Sequence, residues 1–302
     1  RTILMLNIYK DVAENEMAIP VVSGRKTDKE KFAGAIATYT IEGLMHDGQA
    51  LQCGTSHNFG DGFAKAFGVQ FLDKDNQRKT VHQTSWGFTT RMIGALIMVH
   101  GDDSGLKLPP RIAPTQIMIV PVQQQKEGVL DKAFSLRERL IKAGFRVKVD
   151  DSDRSPGYKF ADCEMRGIPL RLEIGPRDIE AGQAVLVRRD TGEKLTAPLD
   201  GLEKECGELL ERIQSDMLER ARKFMKERTT DAKSLEELVS SIDRRPGFVR
   251  AMWCGCRECE DKLKEYSGIS ARCIPFEQEK ISDHCVVCGK PASKMVYWGR
   301  AY

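Results

Sequence analysis

The sequence predicts a multidomain chain of mixed α/β and α+β class, and three observations support this. The 302 residues are enough for two or three domains that each bury a core. The apolar pattern changes near residue 116, from short strands and glycine-rich turns to strands that alternate with helices. Six of the nine cysteines lie between Cys254 and Cys288, which indicates a distinct region towards the C-terminus.

The composition is that of an ordinary globular chain, with 41% hydrophobic and 30% charged residues. A net charge of +3 excludes a polycationic arm, so any contact with nucleic acid must come from a local basic surface. No stretch approaches the roughly twenty apolar residues of a membrane helix, and no signal peptide opens the sequence. We therefore expect a cytoplasmic protein without a membrane partner. The chain starts at Arg1 inside a predicted helix, and we expect it to be a piece of a longer protein.

The first segment, residues 1–113, is predicted to mix one amphipathic helix over residues 3–17 with short strands and glycine-rich turns. Residues 24–34, "GRKTDKEKFAG", are predicted to form a charged, mobile loop. Residues 101–116 contain three prolines and two glycines, which extend neither a helix nor a central strand. They are predicted to be a linker, and the first domain boundary is placed at 113/114.

The second segment, residues 114–200, alternates strands and helices. "IMIVPV" is a continuous apolar strand, "GVLDKAFSLRERLIKAG" a helix closed by Gly144, and "FRVKVDD" a second strand. This order predicts a β-α-β unit with parallel pairing, to which "PLRLEIG" and "AVLVRRD" add further strands. The third segment, residues 201–302, opens with an amphipathic helix whose charged face is interpreted as solvated.

The clustered cysteines predict a metal site in a reducing compartment, because a secreted disulfide scaffold would spread an even number of cysteines through a small domain. Cys285 and Cys288 have the two-residue gap that lets one turn offer two thiolates. Their partners are either Cys254 with Cys259 or Cys256 with Cys259, and either choice gives a closed four-thiolate Zn²⁺ site of structural type. The alternative is four free structural cysteines.

Arg91 occupies an unusual place in "SWGFTTRMIGALIMVHG". The apolar run that follows is predicted to be a buried helix behind a short strand. A cation at the start of a helix is unfavourable, because the free N–H groups and the helix dipole present positive charge there. Two readings stay open: a phosphate shared by the guanidinium and the helix N-terminus, or a buried carboxylate that pairs with the arginine.

Several long motifs, in the right order, resemble one family. "SWGFTTRMIGALIMVHGDDSGLKLPPRIAPTQ" resembles motif 3 of the class II aminoacyl-tRNA synthetases in the form used by the prolyl-tRNA synthetase family, and "QCGTSHNFGDGFAKAF" resembles the stretch before it. "SPGYKFADCEMRGIPLRLEIGPRD" is similar to that family's anticodon-binding domain. "CVVCGKPASKMVYWGRAY" is similar to the zinc-containing C-terminal extension of its archaeal and eukaryote-like branch. Motifs 1 and 2 are not found, so the resemblance implies that this piece is not competent alone.

The resemblance implies a fold and an activity for each segment. Residues 1–113 would be part of an antiparallel-sheet class II catalytic domain, residues 114–200 an α/β anticodon-binding domain, and residues 201–302 a zinc-binding C-terminal α/β domain. The implied reaction is ATP-dependent activation of L-proline to prolyl-adenylate and transfer to tRNA(Pro), with Mg²⁺, structural Zn²⁺ and a homodimer in the intact enzyme. The alternatives are a non-catalytic tRNA-binding or regulatory module, and a sister synthetase for threonine, glycine or histidine.

The resemblance also assigns residues. It implies that Arg91 is catalytic and holds the γ-phosphate, and that the C-terminal Tyr302 folds back towards the active site. The other implied sites are ATP-binding Gln52, Thr55 and Thr89; proline-binding His57, Ser85 and Gly87; anticodon-binding Glu164, Arg171 and Arg177; and zinc ligands Cys254, Cys259, Cys285 and Cys288. A strand alternates its side chains, so Arg171 and Glu173 should share a face. The competing readings are a turn histidine for His57 and a solvated ion-pair network for the anticodon set.

Overall fold

The computed structural model describes residues 1–266 and 268–302, which form a mixed α/β structure with several sheets. The helices, in chain order, are α1 (Thr2–Asp11), α2 (Gly62–Ala66), α3 (Arg91–His100), α4 (Val129–Lys142), α5 (Pro156–Met165), α6 (Pro176–Glu180), α7 (Leu202–Glu227), α8 (Leu235–Arg244) and α9 (Arg257–Lys264). A π-helical turn, Val12–Glu16, continues α1, so the predicted N-terminal helix is confirmed. No helix in the described part of the chain is both long and apolar enough to cross a membrane.

The strands form one sheet of eight, one of five and one pair. In chain order they are β1 (Val22–Arg25), β2 (Ala37–Leu44), β3 (Ala50–Gly60), β4 (Gln70–Leu72), β5 (Arg78–Thr80), β6 (Gln83–Gly87), β7 (Ile117–Pro121), β8 (Val147–Val149), β9 (Leu170–Ile174), β10 (Gln183–Arg188), β11 (Lys194–Pro198), β12 (Thr229–Ala232), β13 (Phe248–Trp253), β14 (Ser270–Pro275) and β15 (Lys294–Gly299). Strands β4 and β5 form the separate pair.

The described residues group into two compact units. The first unit comprises Arg1–Asn15, Ile19–Ala95 and Arg222–Tyr302, and the second comprises Glu16–Ala18 and Leu96–Ala221. The first unit thus combines the beginning and the end of the sequence. The three segments predicted above, with boundaries at 113/114 and 200/201, stay predictions about sequence domains.

The eight-stranded sheet of the first unit runs in the order β12-β13-β15-β14-β1-β2-β3-β6. Its neighbours are antiparallel except for the parallel pair β12 and β13. Strands from both ends of the chain meet where β1 pairs with β14. A Cβ on Gly24 would stand 2.2 Å from the carbonyl oxygen of Ile274, so only glycine permits this close pairing.

The second unit contains the five-stranded sheet, in the order β11-β10-β9-β7-β8. Strand β7 is parallel to both β8 and β9, and α4 connects β7 to β8, so the predicted β-α-β unit is confirmed. The remaining pairs, β9 with β10 and β10 with β11, are antiparallel. Apolar residues of α4 and α7 pack on this sheet, and the buried set in α7 follows helical spacing: Leu202, Cys206, Leu209, Leu210, Ile213 and Met217.

Two local expectations differ from the structure. Helix α3 forms as predicted, but it is buried on one side only, since Ile93 is 58% exposed and Ile97 is 47% exposed. A helix that is apolar all round predicts full burial, whereas the described residues cover a single stripe of it. In the loop predicted to be charged and mobile, Lys26 and Thr27 are buried.

The predicted linker, residues 101–116, is part of the second unit and is hydrogen-bonded to the end of α5. The N–H of Leu106 donates to the Met165 carbonyl at 3.1 Å, and that of Leu108 donates to the Gly167 carbonyl at 3.1 Å. Gly105 allows this approach, because a Cβ there would meet Met165 Cα at 2.5 Å. The proline-containing segment is therefore ordered and hydrogen-bonded to the rest of the second unit, and it is not a free linker.

Candidate functional site

A β-bulge aligns three of the predicted ligand-binding residues on one face of the eight-stranded sheet. The register between β2 and β3 shifts at Cys53, which has no partner on β2. Side chains alternate along a strand, so Gln52 would normally face away from Thr55 and His57. The extra residue in the bulge shifts the alternation of side chains by one position and brings Gln52 to the same face as Thr55 and His57.

Strand β6 adds two more predicted residues to this face. Ser85 lies opposite His57, and Gly87 lies opposite Thr55, in the antiparallel pairing of β3 with β6. Directly opposed residues project on the same side of a sheet. A Cβ on Gly87 would meet no atom within 4 Å, so there is open space above the strand at that point.

Arg91 begins α3 at the surface, just beyond β6. Its Nη1 donates a hydrogen bond to the Gln52 carbonyl at 3.1 Å, and its backbone N–H donates to Thr89 Oγ1 at 3.3 Å. No carboxylate in the described part of the chain forms an ion pair with this guanidinium. The helix dipole and the guanidinium therefore present uncompensated positive charge together, which suits an anion.

His57 lies in β3 and is partly buried. Its Nδ1 is 3.0 Å from Thr38 Oγ1, and its ring centroid is 5.3 Å from that of Phe32. Burial lowers the pKa of His57 below its ordinary value, so the imidazole is neutral at pH 7. Sequence reasoning missed Thr38 and Phe32, although the alternation in "TYTIE" indicates that Thr38, Thr40 and Glu42 share one face.

A buried ion cluster lies beside this face and was also missed. Glu42 is fully buried; it accepts from Lys26 Nζ at 2.8 Å, from Arg272 Nη2 at 2.7 Å and from Thr40 Oγ1 at 2.7 Å. Burial alone would raise the pKa of Glu42, but the two cations outweigh it and hold the pKa below its ordinary value. Glu42 and Thr40 lie opposite Gln52 and Thr55, so the cluster supports the same part of the sheet.

The predicted anticodon residues belong to the second unit. Arg171 is buried; its Nε donates to Glu173 at 2.9 Å and its Nη1 donates to Glu164 at 3.4 Å, and the guanidinium lies 4.2 Å from the Phe160 ring centre. The predicted shared face of Arg171 and Glu173 is thus confirmed. Arg177 stands apart on α6, exposed and without an ion pair among the described residues.

Glu164 and Arg171 border a groove of about 480 Å³, whereas Arg177 does not. The other charged residues that line this groove are Asp102, Lys107, Arg188, Arg189, Asp190 and Lys194. Arg189 is bound by Asp102 through both carboxylate oxygens, and Arg188 by Asp190. The groove therefore carries both charge signs at close spacing.

Four cysteines converge at the end of β13. The Sγ atoms of Cys254, Cys259, Cys285 and Cys288 all lie within 4.8 Å of one another. The Sγ of Cys254 is 3.7 Å from that of Cys259 and 3.8 Å from that of Cys288. Cys256, the alternative ligand, instead donates its thiol proton to Glu258. Four thiolates at this spacing can hold a metal ion in tetrahedral geometry.

The turns around the cysteines favour this arrangement. Gly289 has a φ of +70°, and its N–H donates to the Cys285 carbonyl at 3.0 Å, which closes a tight turn. A hydrogen bond from the Lys290 backbone lowers the pKa of Cys288 to about 7, which favours its thiolate. The three isolated cysteines are buried and free, as predicted: Cys53, Cys163 and Cys206.

The C-terminal residues pair with the beginning of β3. The N–H of Ala50 donates to the Arg300 carbonyl at 2.7 Å, and that of Tyr302 donates to the Ala50 carbonyl at 3.3 Å. The Tyr302 hydroxyl donates to the Asp47 carboxylate in the turn between β2 and β3. These hydrogen bonds hold residues 300–302 against the beginning of β3, just before Gln52.

Two family models match the chain. The model described as "Anticodon binding domain" covers residues 116–209, and the model described as "Prolyl-tRNA synthetase, C-terminal" covers residues 235–302. The first match coincides with the five-stranded sheet and the beginning of α7, and the second begins at α8. In these two regions the chain is therefore similar to an anticodon-binding domain and to the C-terminal part of prolyl-tRNA synthetases.

Curated relatives match the chain over its full length. A protein named "Proline--tRNA ligase" from Lachnoclostridium phytofermentans is 66% identical over 302 residues, and proteins of the same name from Ruminiclostridium cellulolyticum and Lachnospira eligens are 64% and 63% identical over 301 and 302 residues. Each comparison covers 100% of this chain and 63% of the relative, so the chain spans less than two thirds of their length. Over its whole length the chain is therefore similar to proteins that carry the name proline–tRNA ligase.

Proposed function

We propose that the chain works in a proline–tRNA ligase, which activates L-proline with ATP to prolyl-adenylate and transfers the prolyl group to tRNA(Pro). The relatives that carry this name support the proposal. The bulge at Cys53 puts Gln52, Thr55 and His57 on one face, and Arg91, which forms no ion pair among the described residues, is hydrogen-bonded to the backbone of that same strand.

On this proposal, ATP lies along the face near Gln52 and Thr55, and Arg91 and Thr89 receive its terminal phosphate. The reaction needs no side-chain nucleophile, because the substrate carboxylate attacks the α-phosphorus and pyrophosphate leaves. The chain therefore contributes position and charge neutralisation. Bound Mg²⁺ supplies further neutralisation of the phosphate charge.

L-Proline is proposed to bind beside His57, Ser85 and Gly87. The open space above Gly87 leaves room for a small ring, and the neutral imidazole of His57 can donate one hydrogen bond without adding positive charge. Both features fit a compact amino acid whose own ammonium group is positive.

The tRNA anticodon is proposed to contact Glu164, Arg171 and Arg177. Proline anticodons carry two adjacent guanines, and an arginine can donate two hydrogen bonds to a guanine edge, while a carboxylate accepts from guanine N–H donors. Arg177 has a guanidinium free for this among the described residues. Arg171 already binds two carboxylates, so it would have to exchange a partner or position Glu164.

The cysteine cluster is proposed to hold a structural Zn²⁺ through Cys254, Cys259, Cys285 and Cys288. Four protein ligands would close the coordination sphere, so the ion would stabilise the fold and do no chemistry. Residues 201–302 are accordingly proposed to form a zinc-binding domain.

The remaining proposals concern the intact enzyme. Residues 1–113 are proposed to form part of an antiparallel class II catalytic domain. Free thiols suit a reducing cytoplasm, which is the proposed compartment. The intact enzyme is proposed to be a homodimer.

Proline-dependent exchange of pyrophosphate into ATP tests the proposed activity. In the full-length protein, Arg91→Ala should lower the exchange rate by roughly two to three orders of magnitude, since one preorganised charge contact contributes about 3 kcal/mol to transition-state stabilisation. Arg78→Ala, which removes an exposed arginine of the same unit, is the matched control and should leave the rate unchanged. Equal rates for both variants would remove the phosphate role of Arg91.

A further inference from the structure

A buried hydrogen bond joins the loop after β1 to helix α9, which carries one of the clustered cysteines. Thr27 Oγ1 donates to Glu260 Oε1 at 2.7 Å, and each residue is 2% exposed. Glu260 directly follows Cys259, so one turn of α9 takes part in both the cysteine cluster and this contact. A buried carboxylate that loses its donor is strongly unfavourable, so the bond fixes Thr27 against α9.

Further contacts of this loop connect Thr27 to the candidate proline pocket. The Thr27 carbonyl accepts from the Lys31 N–H at 2.9 Å, which closes a compact turn just before Phe32. The Phe32 N–H donates to Thr38 Oγ1 at 3.0 Å, and the Phe32 ring lies 5.3 Å from the His57 ring. A short chain of hydrogen bonds and one ring contact thus runs from α9 to His57.

The hydrogen bonds of the Thr38 hydroxyl influence which ring nitrogen of His57 carries the proton. The Thr38 hydroxyl oxygen accepts from the Phe32 N–H, and the hydroxyl proton can be donated to His57 Nδ1, 3.0 Å away. This arrangement favours the tautomer with the proton on Nε2. Among the described residues Nε2 has no hydrogen-bond partner, so this N–H is left for a ligand.

We propose that Thr27 and Glu260 are positioning residues for the proline pocket. Their hydrogen bond sets the loop from Lys26 to Phe32, and the loop sets the orientation and tautomer of His57. Neither residue touches substrate, so the effect acts on amino-acid recognition and leaves ATP binding alone. The inference rests on the proposed function, since it presupposes that His57 contacts proline.

Thr27→Val tests the contact in the full-length protein, because valine keeps the shape of threonine and removes the donor. We expect the KM for proline in pyrophosphate exchange to rise about tenfold, with kcat and the KM for ATP within about twofold of the wild type. The dissociation constant for proline, measured by calorimetry, should rise by the same factor. Thr27→Ser, which keeps the hydroxyl, should restore the wild-type values.

Asp261→Asn is the matched control. Lys29 and Asp261 form an ion pair between the same loop and the same helix, but Asp261 is half exposed, so the pair should contribute little. The KM for proline of this variant should stay within about twofold of the wild type. The same rise in both variants would mean that any link between loop and helix has this effect, and the proposal would be wrong.

Other outcomes are equally decisive. A Thr27→Val variant that melts like the wild type and keeps the wild-type KM for proline overturns the proposal while the proposed function stands. If that variant does not fold, Thr27→Ala removes the same hydroxyl without a buried methyl group and must show the same rise. A wild-type protein without proline-dependent exchange would overturn the proposed function, and this inference with it.

Discussion

Chemically alike side chains have opposite surroundings in this chain, and the surroundings separate binding residues from structural ones. Arg272 and Arg171 are buried against carboxylates, whereas the Arg91 guanidinium is exposed, donates to the Gln52 carbonyl and forms no ion pair among the described residues. A buried arginine that loses its carboxylate is destabilising, while an exposed unpaired one is free for a ligand. Two thiols show the same contrast: a backbone hydrogen bond lowers the pKa of the exposed Cys288 to about 7, whereas burial raises the pKa of Cys53 to about 12.

His100, the last residue of α3, gives the second unit a pH dependence. It is buried, its Nε2 donates to the Met17 carbonyl at 3.0 Å, and burial lowers its pKa from 6.5 to about 4. The unfolded chain takes up a proton near pH 6.5, whereas the folded chain resists protonation until about pH 4. The stabilisation is therefore complete above pH 6.5 and is lost as the pH falls towards 4.

We expect the free energy of unfolding to fall by about 2 kcal/mol from pH 7 to pH 5 through His100. Denaturant titrations at the two pH values measure this difference. His100→Gln should remove most of the difference, whereas His82→Gln, at an exposed position, should keep it. A His100→Gln protein with the full wild-type difference would show that another group is responsible.

Site residues were predictable from sequence only in part. The position of Arg91 at a helix start and the Cys285 and Cys288 turn can be recognised from spacing alone. The grouping of Gln52 with Thr55 comes from the resemblance, because strict alternation would place them on opposite faces. The bulge that places both residues on one face is visible only in the pairing of β2 with β3.

Secondary-structure elements with a clear period were predicted well. The amphipathic α4 and α7 and the apolar β7 and β9 form where the pattern places them. The half exposure of α3 was not predictable, because an apolar run does not show which of its sides the rest of the chain covers. The choice between Cys254 and Cys256 likewise depends on how β13 enters the turn before α9.

The geometry around α9 predicts which cysteine binds the metal. Cys254→Ser should remove the ion or lower its content well below one per chain, because one of four thiolates is lost. Cys256→Ser should keep about one zinc per chain, since that thiol faces Glu258. Metal analysis of the purified variants measures both, with thermal melting as a second readout.

The reverse pattern, loss with Cys256→Ser and retention with Cys254→Ser, would contradict the arrangement of the cluster. A wild-type protein that contains no zinc would contradict the four-thiolate proposal as a whole. Cys206→Ser is a suitable control for effects of thiol removal alone, because Cys206 is buried in the second unit.

At the scale of the whole chain, the first unit is built from both ends of the sequence. Strand β14 pairs with β1, and Arg272 completes the buried cluster around Glu42. No periodicity in the sequence encodes such a pairing between distant segments, so it could not be predicted from local pattern. As a consequence, Arg272, from the C-terminal part of the sequence, supports the face that carries the candidate active site.

A crystal structure of the full-length protein with ATP and proline would show directly whether Arg91 binds the nucleotide. The nucleotide should lie on the face of Gln52 and Thr55, with the Arg91 guanidinium about 2.7–2.9 Å from oxygens of the terminal phosphate. An Arg91 side chain still bound to the Gln52 carbonyl or to a carboxylate, with the nucleotide elsewhere, would contradict this prediction.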